Sequence, residues 1–145
     1  MTAVPLAPAT TADRWHRVRP PVALAAGVLA ASVLLHLRDP HRGGSWGYCP
    51  WLMLTGTYCP GCGGLRAVND LTRGDVASAA SSNLLLVGLL PALAGLWLRS
   101  VSDRWRGVVR APVGSRRQLV LGAGFLLLAL GFAVLRNTAL PWLAP

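Results

Sequence analysis

Three long apolar stretches dominate the pattern of hydrophobic and polar positions along this chain. They cover about residues 22–37, 76–98 and 119–135, and none of them contains Asp, Glu, Lys or Arg. An α-helix rises about 1.5 Å per residue and the hydrocarbon core of a bilayer is about 30 Å thick, so such stretches are typical of transmembrane helices. The pattern therefore predicts an all-α integral membrane protein with three transmembrane helices.

The first apolar stretch is the shortest and has a second interpretation. At about 1.5 Å per residue it reaches only about 24 Å, and we expect Arg19 and His36 to extend it by snorkelling. Pro20 and Pro21 precede it and suit the first turn of a helix. A basic segment before an apolar core also resembles a signal peptide, but no small-x-small cleavage site follows Leu37, which favours an uncleaved span.

The polar residues before the first stretch indicate how the chain is divided. Residues 1–13 are rich in Pro, Ala and Thr, and a cluster of arginines follows them. Such a segment buries too little apolar surface to order itself. We therefore predict a disordered basic N-terminal segment over residues 1–20 and a single membrane domain over residues 21–145.

The longest polar connection, residues 38–75, contains all three cysteines of the chain. Glycines near its start indicate irregular backbone, and its Trp and Tyr residues suit a segment at the level of the lipid headgroups. Residues 63–72 then carry apolar positions at helical spacing. We expect a short interfacial helix here, ended by Gly74 and followed by Asp75 as the N-cap of the next helix.

Glycines and one proline within the second and third stretches bear on helix packing. Gly88 and Gly95 are seven residues apart, as are Gly124 and Gly131. Heptad-spaced glycines allow two helix backbones to approach closely, so we expect the second and third helices to pack as a hairpin. The alternative is that glycine is simply frequent in membrane helices. Pro91 is expected to kink the second helix.

The composition supports a membrane location and argues against nucleic-acid binding. Hydrophobic residues make up 53% of the chain and charged residues 13%, with a mean hydropathy of +0.47, whereas soluble domains carry about 25% charged residues. The net charge of +9 comes from fourteen Arg and five Asp. Arginines that flank apolar spans orient helices and contact anionic lipid headgroups, and no nucleic-acid-reading motif accompanies them. The expected partner is therefore the lipid bilayer.

The distribution of arginine predicts the orientation of the three helices. The N-terminal segment and residues 99–118 together hold nine arginines, against five in residues 38–75 and the C-terminal segment. Because cytoplasmic loops are enriched in positive charge, we expect a multi-pass protein of the cell membrane with a cytoplasmic N-terminus. The loop with the cysteines would then face outward.

Residues 59–63, Cys-Pro-Gly-Cys-Gly, form a motif that we call the cysteine knuckle. Rubredoxins and zinc ribbons use this turn for two of four metal ligands, because the spacing brings both sulfurs to one side. Cys49 is the candidate third ligand, and zinc is the candidate metal. The candidates for a fourth ligand are His36, His41, Asp70 and water.

Two other interpretations of the knuckle remain open. Two thiols separated by two residues can form a disulfide, which would make Cys59 and Cys62 the redox pair of an envelope thiol-disulfide oxidoreductase. Such enzymes place the pair at a helix start after a strand, and no strand pattern precedes this one. The knuckle can also be an inert turn, since cysteines in apolar proteins are often simply buried.

The region around the knuckle resembles the bacterial membrane-protein family known as domain of unknown function 2752. The resemblance rests on the order and spacing of Cys49-Pro50, Thr55-Gly56, Cys59-Pro60-Gly61-Cys62-Gly63, Arg66-Ala67, Gly74-Asp75, Ala79 and Asn83. The chain departs from the family pattern at Leu65, where Thr is frequent, and at Leu84, where Pro is usual. The resemblance implies a small multi-span membrane protein and no particular activity.

We combine these observations in one hypothesis about function. The chain contains no Glu and no paired carboxylates, so a binding or scaffold role is favoured over an enzyme. The knuckle and Cys49 would hold the loop as a metal-binding or structural staple, supported by Pro60 and Gly63. Arg66 and Asp70, four residues apart, would pair and orient the short helix. Asn83 would satisfy backbone groups where that helix meets the second span, and partners would be other membrane proteins or a second copy of the chain.

Overall fold

A computed structural model of the protein describes residues 11–110 and 112–143. Every regular element in these two ranges is helical, which confirms the all-α prediction. The helices are α1 (Thr11–Leu37), α2 (Pro50–Thr55), α3 (Gly64–Thr72), α4 (Val76–Arg106) and α5 (Ser115–Thr138), followed by a 3-10 turn at Pro141–Leu143. Of these, α1, α4 and α5 are long and apolar enough to cross a membrane, which confirms the predicted number of spans.

Helix α1 is longer than its apolar stretch. It begins at Thr11 and contains Pro20 and Pro21 in its interior, so residues 11–20 are helical and the prediction of a disordered segment is corrected there. Residues 1–10 lie outside the described ranges. Packing explains the extension, because Val18 is buried and Trp15 meets Trp105 of α4 edge to face at 5.7 Å between ring centroids.

Helices α1 and α4 run side by side in opposite directions. Near the basic end, the Arg14 guanidinium lies over the ring of Trp105, 5.9 Å from its centroid. Further along, the indole N–H of Trp97 donates to the Pro21 carbonyl at 2.9 Å. At the other end of α1, the Asn69 side chain of α3 donates to the Leu35 carbonyl at 2.7 Å. Helices α1, α3 and α4 therefore form one packed unit.

The predicted hairpin of the second and third spans is wrong. Helix α4 packs against α1 and α3, and the positions of Gly88, Gly95, Gly124 and Gly131 have no neighbouring atom within 4 Å of an added Cβ. Between α4 and α5 lies an apolar cleft of about 400 Å³, lined by Leu84, Leu85, Leu127, Leu128, Gly131, Phe132 and Leu135. Glycine spacing permits close approach of two helices, but in this fold no other described helix lies against the four glycine positions.

Helix α4 departs from helical geometry near its start. Asn83 has φ −159° and ψ 89°, which is extended backbone. Pro91, where we predicted a kink, lies within the helix, and the non-helical dihedrals are at Asn83. The start of α4 is capped as expected, since the Asp75 carboxylate accepts from the backbone N–H of Ser78 at 2.9 Å. Gly74 before it adopts a φ of 80°, which favours glycine.

Candidate metal centre

The first cysteine is positioned by a helix that the sequence analysis did not predict. Cys49 is the N-cap of α2, and Pro50 occupies the first turn. Gly56 ends the helix with a φ of 68°, and its N–H bonds to the Leu52 carbonyl. The signals were present in the sequence, since proline at a helix start and glycine at its end bracket residues 50–55.

The second and third cysteines lie in the knuckle that leads into α3. The Cys62 N–H donates to the Cys59 carbonyl at 3.1 Å, and the Gly64 N–H donates to the Gly61 carbonyl at 3.0 Å. Gly63 is the N-cap of α3 and adopts a φ of 78°, a conformation that favours glycine. These two tight turns bring both sulfurs to one side of the backbone.

The three thiols converge on one point. Sγ of Cys49 lies 3.7 Å from Sγ of Cys59, which lies 3.0 Å from Sγ of Cys62, and all three sulfurs lie within 4.8 Å of one another. Zinc bonds sulfur at about 2.3 Å, so two sulfurs of a tetrahedral site lie about 3.8 Å apart. The first separation matches that value. The second is shorter than a zinc site needs and longer than the roughly 2.05 Å of a disulfide, and all three thiols are free.

The side chains suggested as a fourth ligand do not lie with the three sulfurs. Nδ1 of His36 hydrogen-bonds Oγ1 of Thr72 at 2.9 Å, while the His41 ring lies between Asp39 and Asp70 at 2.9 and 3.4 Å. Within the described residues, the group of convergent ligand atoms contains the three sulfurs and neither a histidine nor a carboxylate. The prediction that His36, His41 or Asp70 is the fourth ligand is therefore corrected. Of the four candidates from the sequence, only water remains.

The environments of two thiols differ in a way that affects their ionisation. A backbone hydrogen bond from Leu52, in the first turn of α2, lowers the pKa of Cys49 below its usual value. Burial raises the pKa of Cys62 to about 12, and the neighbouring thiols add to that rise. Without a metal, Cys49 is the more readily ionised of the two.

A buried arginine lies directly behind the thiols. Arg136, near the end of α5, is 1% exposed, and its Nη1 donates to the carbonyls of Cys59 and Cys62 at 3.0 Å each. Its Nη2 donates to the carbonyls of Leu143 at 2.7 Å and Ser82 at 3.4 Å. Among the described residues no carboxylate pairs with it, and its Nε is buried without a partner. The guanidinium thus joins the knuckle to α4 and to the C-terminal turn.

Asn83 joins the knuckle to α4 from the other side. Its Nδ2 donates to the carbonyls of Pro60 at 2.9 Å and Cys62 at 3.1 Å, and its Oδ1 accepts from the Leu86 N–H at 2.9 Å. We expected Asn83 to satisfy backbone groups where the short helix meets the second span, and these hydrogen bonds are of that kind. The extended backbone of Asn83 leaves its side chain free to cap the continuing helix, so the break occurs although Leu84 replaces the usual proline.

The predicted pair of Arg66 and Asp70 does not form. Nε of Arg66 donates to the Pro40 carbonyl at 3.4 Å, across the loop. Asp70 is buried, and its carboxylate accepts from the Ser82 hydroxyl at 3.0 Å and lies beside His41. Both residues still hold α3 in place, because each contacts a different neighbouring segment.

An open cleft of about 660 Å³ adjoins the thiols. Its walls come from residues 40–52 and 58–66, and they include the three cysteines together with Arg42 and Arg66. The cysteine cluster therefore has a protein side, occupied by Arg136 and Asn83, and a side that opens to the surroundings.

Comparison with known proteins agrees with the motif between Cys49 and Asn83. Residues 49–97 match the model of a family described as a protein of unknown function, DUF2752. The resemblance inferred from the sequence is thus confirmed over about a third of the chain. No curated protein and no solved structure matches the chain.

The DUF2752 region contains most, but not all, of the residues that build the site. The three cysteines, Asn83 and helices α2 and α3 fall inside it. Arg136 and the Asn137 side chain, which bonds both the N–H and the carbonyl of Tyr58 at 2.9 Å, lie beyond it. Sequence reasoning missed both, because a single arginine after an apolar stretch is typical of a membrane interface.

Proposed function

We propose that this protein binds a zinc ion through Cys49, Cys59 and Cys62, and that the metal fixes the loop at the membrane surface as part of a binding or scaffold role. The observation that carries the proposal is the convergence of three free thiols, from two separate segments, within 4.8 Å of one another. Thiolates are preferred zinc ligands, and structural zinc sites commonly use a knuckle of this spacing.

The surroundings of the thiols support an anionic metal centre. Zinc requires its sulfur ligands as thiolates, so three of them leave one net negative charge at the site. A buried cation without a carboxylate partner is costly unless another negative group compensates it. Arg136, behind Cys59 and Cys62, is such a buried cation, and the net negative charge of the zinc centre would compensate it.

The metal would act as a staple between two short helices. Cys49 begins α2, while Cys62 immediately precedes the N-cap of α3. A metal bound by cysteines at both ends of this segment closes the loop between them. The closed loop has less conformational entropy in the unfolded chain. Helices α2 and α3 would then form a stable cap over the end of the α1–α4 pair.

The proposed orientation places this cap outside the cytoplasm. The arginine-rich starts of α1 and α5 and the end of α4 belong to one end of the molecule, and the cysteines and the end of α5 belong to the other. Fusion of a reporter active only in the cytoplasm to the N-terminus should give signal. Fusion of the same reporter within residues 43–47 should give none, and the reverse result would overturn the orientation.

Metal analysis of the purified protein tests the proposal. In detergent, the wild-type chain should carry about one zinc ion, and Cys49→Ser, Cys59→Ser and Cys62→Ser should each lose most of it. Tyr48→Phe, an exposed change in the same loop, should retain the metal. Metal-free protein with three freely reactive thiols would contradict a zinc site.

A second candidate function is that of a thiol-disulfide oxidoreductase. The separation of 3.0 Å between Sγ of Cys59 and Sγ of Cys62 favours it, because closing that gap by about 1 Å would form a disulfide. Here Cys49→Ser should leave the redox reaction of the remaining pair intact. In a zinc site the same variant should lose metal about as completely as Cys59→Ser.

A further inference from the structure

We propose that the fourth position of the metal is filled from outside the protein by a small thiol-bearing acid that enters through the open cleft. This inference rests on the proposed zinc site. The zinc proposal names three protein ligands and does not identify the fourth.

The three cysteine sulfurs leave one position of a tetrahedral metal unfilled. Within residues 11–110 and 112–143, three sulfurs converge and no fourth protein ligand accompanies them. Zinc sites with four protein ligands are structural, whereas sites with three protein ligands keep a position for an external group. The protein side of the cluster is closed by Arg136 and Asn83, so the remaining position faces the cleft.

The cleft beside the thiols has the size of a small-molecule site. Its volume of about 660 Å³ falls within the range of about 300–1,000 Å³ that is usual for small-molecule sites. All three cysteines line it, so a ligand there would reach the metal directly. A small molecule is therefore favoured over a macromolecular segment.

Two arginines give the cleft positive charge. Arg42 and Arg66 line the cleft, and within the described ranges neither pairs with a carboxylate. Since Arg136 already compensates the net charge of a tris-thiolate zinc centre, the charges of these two arginines are available to an anion, and Nε of Arg66 also donates to the Pro40 carbonyl at 3.4 Å. Guanidinium groups bind carboxylates through paired charge-assisted hydrogen bonds.

The thiols and the arginines that line the cleft together define the class of ligand. A centre with three sulfur ligands prefers a soft fourth donor such as a thiolate. When a thiol binds there, its proton passes to solvent and its sulfur replaces solvent on the metal. The carboxylate of the same molecule would lie toward the arginines, so a small acid with a thiol satisfies both.

Cobalt-substituted protein provides the test. Cobalt(II) reports its ligands by absorption in the visible range, so the purified chain is loaded with cobalt and titrated with mercaptoacetate or with uncharged mercaptoethanol. We expect both to add a sulfur-to-cobalt absorption band. Mercaptoacetate should bind about tenfold more tightly, because only it offers a carboxylate to the arginines. Gel filtration afterwards should show that the cobalt stays with the protein.

Arginine variants identify the cause of that preference. Arg42→Gln and Arg66→Gln should each weaken mercaptoacetate binding about fivefold and leave mercaptoethanol binding unchanged. Arg73→Gln, which removes the same charge from the same loop outside the cleft, should change neither.

The outcomes separate this inference from the zinc proposal. If cobalt binds with three sulfurs but mercaptoacetate and mercaptoethanol bind equally, or neither changes the spectrum, the external ligand is wrong and the zinc site stands. If the three variants behave alike, the cleft arginines do not select the ligand and the inference is also wrong. If no cobalt binds, both proposals fail.

Discussion

At the scale of single residues, Arg136 is the side chain on which the site most depends. It is almost completely buried and donates to four backbone carbonyls, on the knuckle, on α4 and on the C-terminal turn. Its ring contacts add to this, since the guanidinium lies 5.1 Å from the centroid of Phe132 and 5.5 Å from that of Tyr58. No other described residue connects as many segments around the thiols.

Loss of this guanidinium should therefore destabilise the fold. Arg136→Gln leaves buried carbonyls without donors, and each such group costs about 1–3 kcal/mol. We expect a clear fall in the melting temperature in detergent, together with weaker zinc retention. Arg116→Gln, an exposed change at the start of the same helix, is the matched control and should have little effect. Equal melting temperatures for the two variants would contradict the role of Arg136.

The thiols of the metal-free protein should differ in reactivity. Only thiolates react with iodoacetamide, so a lowered pKa speeds the reaction near neutral pH and a raised pKa slows it. With its pKa lowered by the Leu52 hydrogen bond, Cys49 should be alkylated well before Cys62, whose pKa is raised to about 12. Raising the pH from 7 to 9 should increase the rate at Cys62 in proportion to hydroxide. Peptide mapping by mass spectrometry checks the order, and faster labelling of Cys62 would refute it.

At the scale of elements, the break in α4 links the knuckle to the membrane helix. Asn83 caps the Leu86 N–H and donates to the carbonyls of Pro60 and Cys62. Its extended backbone would be unfavourable within a helix without those hydrogen bonds. The side chain of one residue therefore stabilises this break and ties it to the knuckle.

Replacement of Asn83 should loosen the knuckle more than it affects the helix. Asn83→Ala removes three hydrogen bonds at a buried position, worth about 1 kcal/mol each. We expect reduced stability and faster zinc loss to a chelator. Ser81→Ala, two residues earlier, removes only a local bond to the Ser78 carbonyl and should retain zinc as the wild type does. If Asn83→Ala held zinc equally well, Asn83 would have no part in the site.

Sequence reasoning predicted the elements better than their contacts. The three spans, α3 and the cap at Asp75 followed from hydropathy, helical spacing and N-cap chemistry. Helix α2 was missed because six residues are too few for a periodic signal. Arg136 was missed because three of its four partner carbonyls lie more than fifty residues away along the chain, and no local pattern encodes such contacts. Of the four candidates for a fourth ligand, the histidines contact other groups, Thr72 in the case of His36 and Asp39 in the case of His41, and the sequence did not show these contacts.

At the scale of the whole molecule, α1 rather than α5 is the partner of α4. Trp97 and Trp105 provide the contacts, whereas the glycines of α4 and α5 face open space. Helix α5 is held mainly at its far end, through Arg136, Asn137 and the 3-10 turn. Its apolar surface and the cleft beside α4 are therefore left to contact lipid.

The open space beside the glycines of α4 and α5 predicts how substitution by alanine affects stability. Gly88→Ala and Gly124→Ala should each be neutral or stabilise the protein by about 0.5–1 kcal/mol, because alanine favours the helix and nothing lies within 4 Å of the added methyl group. Thermal unfolding in detergent measures it. A marked loss of stability would show that these faces are packed, as in the hairpin that we first expected or in an interface between copies.

X-ray absorption at the zinc edge, on protein purified in detergent without added metal, tests the central claim most directly. We expect about three sulfur neighbours at about 2.3 Å and one further ligand. The Cys49→Ser variant should lose the metal or one sulfur from that shell. Zinc bound by histidine and oxygen ligands alone, or no zinc together with a disulfide between Cys59 and Cys62, would contradict a metal centre built from the three thiols.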